Sequence, residues 1–131
     1  ITMRNTNTGP RLKSMRGRGG VVSDIVYRNI VASGIHGECI QLTLNYGGGK
    51  AHPPTNTSAT PVFSSILLEN VHCQSAKYTY RVDGVPESKI TGLRLRNVTF
   101  GKGVTRERRC EHIECPCDAR TTRCPTCCAR E

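Results

Sequence analysis

Short runs along this chain alternate between apolar and polar residues. In Ile25-Val26-Tyr27-Arg28-Asn29-Ile30 the alternation places Ile25, Tyr27 and Asn29 on one face and Val26 and Arg28 on the other. The same six-residue pattern, with asparagine fifth, recurs at residues 1–6, 66–71 and 93–98. β-Branched residues are dense and helix-capping signals are poor, so the pattern predicts strands. The asparagines are 24, 41 and 27 residues apart, spacings typical of a solenoid in which each coil buries its apolar side against the next. Stacked coils should bring Asn5, Asn29, Asn70 and Asn97 into register as an amide ladder at one corner. A sandwich of four unrelated strands, each ended by an asparagine, is the competing arrangement; the repeat favours the solenoid. The expected fold is all-β, a parallel β-helix of about four coils, right-handed by the general bias of parallel crossovers.

A second strand is expected within each coil, at residues 11–14, 40–44 and 78–82. The longest spacing holds an insertion from Tyr46 to Pro61, whose Gly, Pro, Asn, Ser and Thr content predicts an exposed loop. Residues 85–88 form the turn between the last two coils. Beyond about Gly103 the pattern stops, and a polar, cysteine-dense segment follows. Two regions are therefore expected: coils over residues 1–103 and a cysteine-rich C-terminal tail over 104–131. The sequence opens inside the repeat, so Ile1 reads as a cut and not as a natural start.

Charge narrows the partners. A formal net charge of +9 favours polyanions, whether acidic polysaccharide, nucleic acid or anionic lipid. With no tryptophan and only 5% aromatic residues, a broad stacking platform for sugars or bases is not expected. No apolar run is long enough to span a membrane. Eight cysteines in 131 residues point to an oxidising compartment or a metal site. Cys115-x-Cys117 and Cys124-x-x-Cys127, with Cys110 and His112 nearby, are loosely spaced for tetrahedral zinc, so disulfides are the plainer reading. Eight cysteines allow 105 pairings; the adjacent Cys127 and Cys128 should take different partners, and Cys39 and Cys73 either pair or stay as buried thiols. Asn56 and Asn97 head glycosylation sequons, the first in the loop and the second expected to be shielded in the ladder.

The candidate chemistry lies in Arg11-Leu12-Lys13 and the glycine-rich run Arg16-Gly17-Arg18-Gly19-Gly20 that follows. In an extended strand Arg11 and Lys13 share one face while Leu12 takes the other, so Leu12 joins the core and two cations stand side by side outside. Arg offers a planar fork for carboxylate oxygens and Lys a compact charge. The glycines permit a sharp left-handed turn. An RGG-type RNA-binding tract would repeat with interleaved aromatics, whereas this one occurs once between two apolar strands. The Arg-Leu-Lys segment, the Gly-Arg-Gly-Gly turn and their continuation through Val21 to Ile30 resemble glycoside hydrolase family 28, the polygalacturonases and related pectin-degrading enzymes. Leu12 stands where isoleucine is usual. Gly84 to Ser88 with Ile90 is similar to a segment near the C-terminal coils of that family.

The resemblance implies a right-handed parallel β-helix from an inverting hydrolase of α-1,4-galacturonosyl bonds in pectin. It implies an acidic polysaccharide as partner, with neither nucleic acid nor membrane, no cofactor and no metal, a monomeric full-length form, and secretion to the cell wall. It also implies that Arg11 and Lys13 contact substrate and that Tyr46 is the substrate-contacting tyrosine, giving a flat face and a hydroxyl to a sugar ring. Inversion needs a general acid and a general base flanking the scissile bond. The family supplies these from Asn-Thr-Asp and Asp-Asp segments, with a Gly-His-Gly nearby, all before the Arg-x-Lys strand; this sequence contains none of them. Asp24, Asp83 and Asp118 are isolated, and His36 in Gly34-Ile35-His36-Gly37 lies after Arg11 and reads as a turn residue. No catalytic residue is therefore expected here, and the chain alone should be inactive. A non-catalytic binder of acidic polysaccharide is the alternative, and a basic nucleic-acid-binding protein with a zinc tail the more distant one.

Overall fold

The computed structural model describes residues 1–46 and 59–129. Its strands are β1 (Thr2–Arg4), β2 (Arg11–Lys13), β3 (Val21–Ser33), β4 (Ile35–Thr43), β5 (Val62–Cys73), β6 (Ala76–Asp83), β7 (Thr91–Phe100) and β8 (Arg109–Glu111). They form two four-stranded sheets, ordered β1-β3-β5-β7 and β2-β4-β6-β8. Every neighbouring pair is parallel. The chain is thus a parallel β-helix of four coils, each giving one strand to either sheet. The expected second strands lie in β2, β4 and β6, the last two of which begin earlier than the apolar pattern suggested.

The long strands stay paired while they bend. Asp24, Ser65 and Gly92 form one column of left-handed residues, with φ of 58°, 53° and 63°. Asn29, Asn70 and Asn97 form a second, at 57°, 54° and 52°. Asparagine tolerates this conformation because its short amide can bond locally. One such residue turns the coil and also shifts the in–out alternation, so that Ile30 and Ala32 point inward after Tyr27. The amide ladder runs up the second column: Asn70 Nδ2 donates to Asn29 Oδ1 at 3.2 Å, and Asn97 Nδ2 to Asn70 Oδ1 at 2.9 Å.

Asn5 is not part of that ladder. Thr2 pairs with Val31 and Arg4 with Ser33, which sets Asn5 beside Gly34 at the following corner, both with positive φ. A Cβ on Gly34 would lie 2.3 Å from Asn5 Oδ1, so any larger residue there would displace the Asn5 amide as well as strain a left-handed backbone. Each coil turns at more than one left-handed residue flanked by similar apolar spacing, and the hexapeptide 1–6 suits either corner. Asn97 also departs from expectation: its side chain is exposed, although its amide nitrogen is engaged by Asn70. The insertion between Tyr46 and Ala59, including Asn56, lies outside the described residues.

Both sheets bury their inner faces against each other. Ile40 and Leu42 of β4, Tyr80 and Val82 of β6, Ile66 and Leu68 of β5, and Leu93 of β7 are at most 1% exposed. The tail closes the last coil. Disulfides join Cys110–Cys127, Cys115–Cys128 and Cys117–Cys124, so Cys127 and Cys128 do take different partners. Cys117 bridges to Leu95, Arg123 N–H donates to Val98 O at 2.9 Å, and the Tyr80 hydroxyl donates to Arg123 O. Cys39 and Cys73 remain buried thiols; the hydrogen bond between them and burial push Cys39 well above the usual thiol range. Among the described residues no helix is long and apolar enough to cross a membrane.

Candidate functional site

Strand β2 is three residues long, and its alternation separates Leu12, packed against the core, from Arg11 and Lys13 on the outer face. Parallel pairing extends this face across the coils. Arg11, Gln41, Arg81 and Arg109 form one column, and Lys13, Thr43, Asp83 and Glu111 the next. The turn after β2 runs through left-handed Gly17, Gly19 and Gly20. The N–H groups of Gly17 and Gly19 both donate to Ala59 O, at 3.0 and 2.8 Å. They tie the turn to the chain beyond the insertion and are not free to cradle an anion. Arg16 pairs in bidentate fashion with Glu87, which removes it from any RNA-type tract.

Tyr46 comes to the cations from the end of the next coil, its N–H donating to Ser14 O at 3.1 Å. Lys13 Nζ lies 4.2 Å from the centre of the Tyr46 ring, and Arg11 Cζ lies 5.4 Å from it. Lys13, Ser14, Met15, Arg18 and Tyr46 line a small pocket. The sequence placed Arg18 only within the glycine-rich run; the turn is what brings it to the pocket beside Lys13 and Tyr46.

The Arg11–Lys13 pair differs from several neighbouring arginines in its charge pairing. On the other sheet Glu69 serves both Arg28, at 2.8 Å, and Arg96, at 3.6 Å. Arg81 and Arg109 share Asp83 at 3.3 and 3.7 Å. By contrast, Arg11 Nε donates to the neutral Gln41 Oε1, and no carboxylate pairs with Arg11 or Lys13 among the described residues. Two cations kept side by side without an internal counter-ion can bind an external anion.

The two cations also act on the phenol. The Lys13 charge, with a hydrogen bond from Arg11, holds Tyr46 below its usual value of 10.0. Burial pushes Tyr27 and Tyr80 above theirs. An absorbance titration should therefore show Tyr46 ionising before Tyr27 and Tyr80 and moving upward in Lys13→Ala. A folded-state value above the unfolded one gives stability that is complete below the unfolded value, about pH 10, and lost as pH rises through the folded one. Tyr27 and Tyr80 should thus ionise together with alkaline unfolding; early ionisation of either would contradict their burial.

Two carboxylate and histidine expectations change. Asp83 is not isolated: it lies on the same outer face as Lys13, fully buried between Arg81 and Arg109, and its Oδ2 makes no hydrogen bond. Its position was hidden in the sequence because the column is set by pairing across coils. His36 is no turn residue; it is an exposed member of β4 whose N–H donates to Thr6 O at 2.9 Å.

Comparison with known proteins agrees with this architecture. The model of a family described as glycosyl hydrolases family 28 matches residues 1–127. The chain belongs to that family. A relative described as "Probable polygalacturonase", from Vitis vinifera, is 30% identical over 96 residues. The match covers 73% of this chain and 19% of the relative, so the chain spans a small part of that protein's length. No solved structure matches. In family 28 terms, the outer face of β2 displays Arg11 and Lys13 of the segment that carries the family resemblance, and Leu12 points to the core.

Proposed function

We propose that this chain is the substrate-gripping C-terminal portion of a polygalacturonase-like hydrolase that cleaves α-1,4-galacturonosyl bonds of pectin with inversion. Arg11 and Lys13 hold a galacturonate carboxylate, and Tyr46 supports the sugar ring beside them. The observation carrying this reading is the unneutralised Arg11–Lys13 pair beside the Tyr46 ring on one sheet face. The coils, expected over residues 1–103, take their last strand from β8 (Arg109–Glu111) within the expected tail of residues 104–131, whose cystines close their end. Asp83 is covered and flanked by two guanidinium groups, so it does not reach substrate as acid or base. The proton transfers belong to carboxylates outside this sequence, and the chain alone is inactive. Three disulfides in the tail support an extracellular setting, and the partner is an acidic polysaccharide met by a full-length form that is monomeric.

Calorimetric titration with oligogalacturonides tests the site. Arg11→Ala with Lys13→Ala should weaken binding at least about tenfold, since two charge-assisted contacts are lost. Unchanged affinity would remove the assignment.

A further inference from the structure

A second group of cations surrounds a tyrosine on the same sheet face. Tyr78 lies near the start of β6, opposite Glu38 of β4. After the last coil turns, residues 106–108 run alongside β6: Thr79 N–H donates to Arg106 O at 2.7 Å, and Arg108 N–H to Tyr80 O at 2.9 Å. Extended backbone points residues i and i+2 the same way, so both Arg106 and Arg108 are directed over Tyr78. Their Cζ atoms lie 5.8 and 5.4 Å from its ring centre, and Lys77 Nζ lies 5.5 Å away. Lys77, Arg106 and Arg108 are exposed and Tyr78 is half-buried. The intervening Glu107 turns toward the tail, where it accepts from Thr126. Glu38, 3.3 Å from Arg108, is the sole carboxylate paired with the group among the described residues, which leaves a net positive charge.

Side chains connect this group to the first. Arg11 donates to Gln41 Oε1, Gln41 Nε2 donates to Glu38 Oε2 at 3.4 Å, and Glu38 Oε1 meets Arg108. The connection sets both groups on one continuous surface. Arg11 and Tyr78 are two coils apart across the sheet and about three residues apart along it, or roughly 14 Å from strand spacing and rise. One carboxylate cannot bridge that distance, whereas separate units of one polymer can.

We propose that Lys77, Tyr78, Arg106 and Arg108 form a second anion-binding subsite, which holds another uronate unit of the same acidic polysaccharide farther along the chain. The inference rests on the reading of Arg11 and Lys13 as the first subsite. It adds a length dependence: chains long enough to reach Tyr78 gain affinity through the second contact.

The test titrates the protein with a digalacturonide and with an oligogalacturonide of at least about ten units. Arg106→Ala with Arg108→Ala should weaken the long ligand about tenfold and leave the short one unchanged. Arg106→Lys with Arg108→Lys, which keeps the charges, should restore most of the loss. Lys77→Ala, an exposed change with little bearing on folding, should weaken the long ligand about threefold, and it decides the matter if the double alanine variant does not fold. Unchanged long-chain affinity in these variants, with Arg11→Ala and Lys13→Ala still weakening it, overturns the second subsite and leaves the first. Equal loss for both ligand lengths also overturns it. An equal or greater loss for a single-stranded oligonucleotide overturns it in favour of a general polyanion surface.

Discussion

Leu68→Ala will lower the unfolding free energy by about 3 kcal/mol, the middle of the range for a large side chain removed from a packed core. Leu68 is fully buried, and in register it stands between Tyr27 on one coil and Leu95 on the other. Backbone pairing on both sides holds β3, β5 and β7 at fixed separation, so the walls cannot close over the missing atoms. The cavity cost is therefore added to the lost transfer energy. Coils in a solenoid are stabilised by their neighbours, so one substitution weakens two interfaces. Val26→Ala, on the same sheet but 53% exposed, should change stability by no more than about 0.5 kcal/mol. Urea unfolding with an unchanged slope would measure both. A loss below about 1 kcal/mol for Leu68→Ala would mean that the two sheets do not enclose a common core.

Reduction of the three disulfides should release the tail from the end of the solenoid while leaving the central coils paired. The bonds close sequence separations of 17, 13 and 7 residues, and a loop of about 15 residues is worth about 3 kcal/mol in chain entropy. Past Glu114 the tail has little else to hold it. There the buried apolar side chains are the cystines of Cys115, Cys117 and Cys128, and the polar anchors to the coils are few, chiefly Arg123 and Thr122 to Val98 and Tyr80 to Arg123. Before that point residues 106–108 and β8 stay paired with β6. Trypsin should then cleave after Arg120 and Arg123 about a hundredfold faster than in the oxidised protein, because cleavage follows the population of the opened state. The far-UV β signal should persist. Equal cleavage rates with and without reductant would show that packing, not cross-linking, holds the tail.

Much of this architecture was legible from local pattern. Alternation within each hexapeptide, together with the 41- and 27-residue asparagine spacings, specified strands and coils, because a side chain's face depends on its own backbone alone. The same rule placed Arg11 and Lys13 opposite Leu12 before any partner strand was known. Cysteine density and the loose zinc spacing pointed to cross-links in the tail, though not to their pairing.

Lateral register belonged to the tertiary structure. Asn5 carries the repeat's asparagine yet sits beside Gly34, because backbone pairing of residues 2–4 with 31–33 outweighs similarity of side chains. Asp83 reads as an isolated acid until stacking puts it in the Lys13 column, between two arginines. Arg108 is remote from Arg11 in sequence, but Gln41 and Glu38 link them across the coils. The physical reason is common to all three: a strand's alternation is set by bonds within the chain, whereas what stands beside it depends on the length of every turn between.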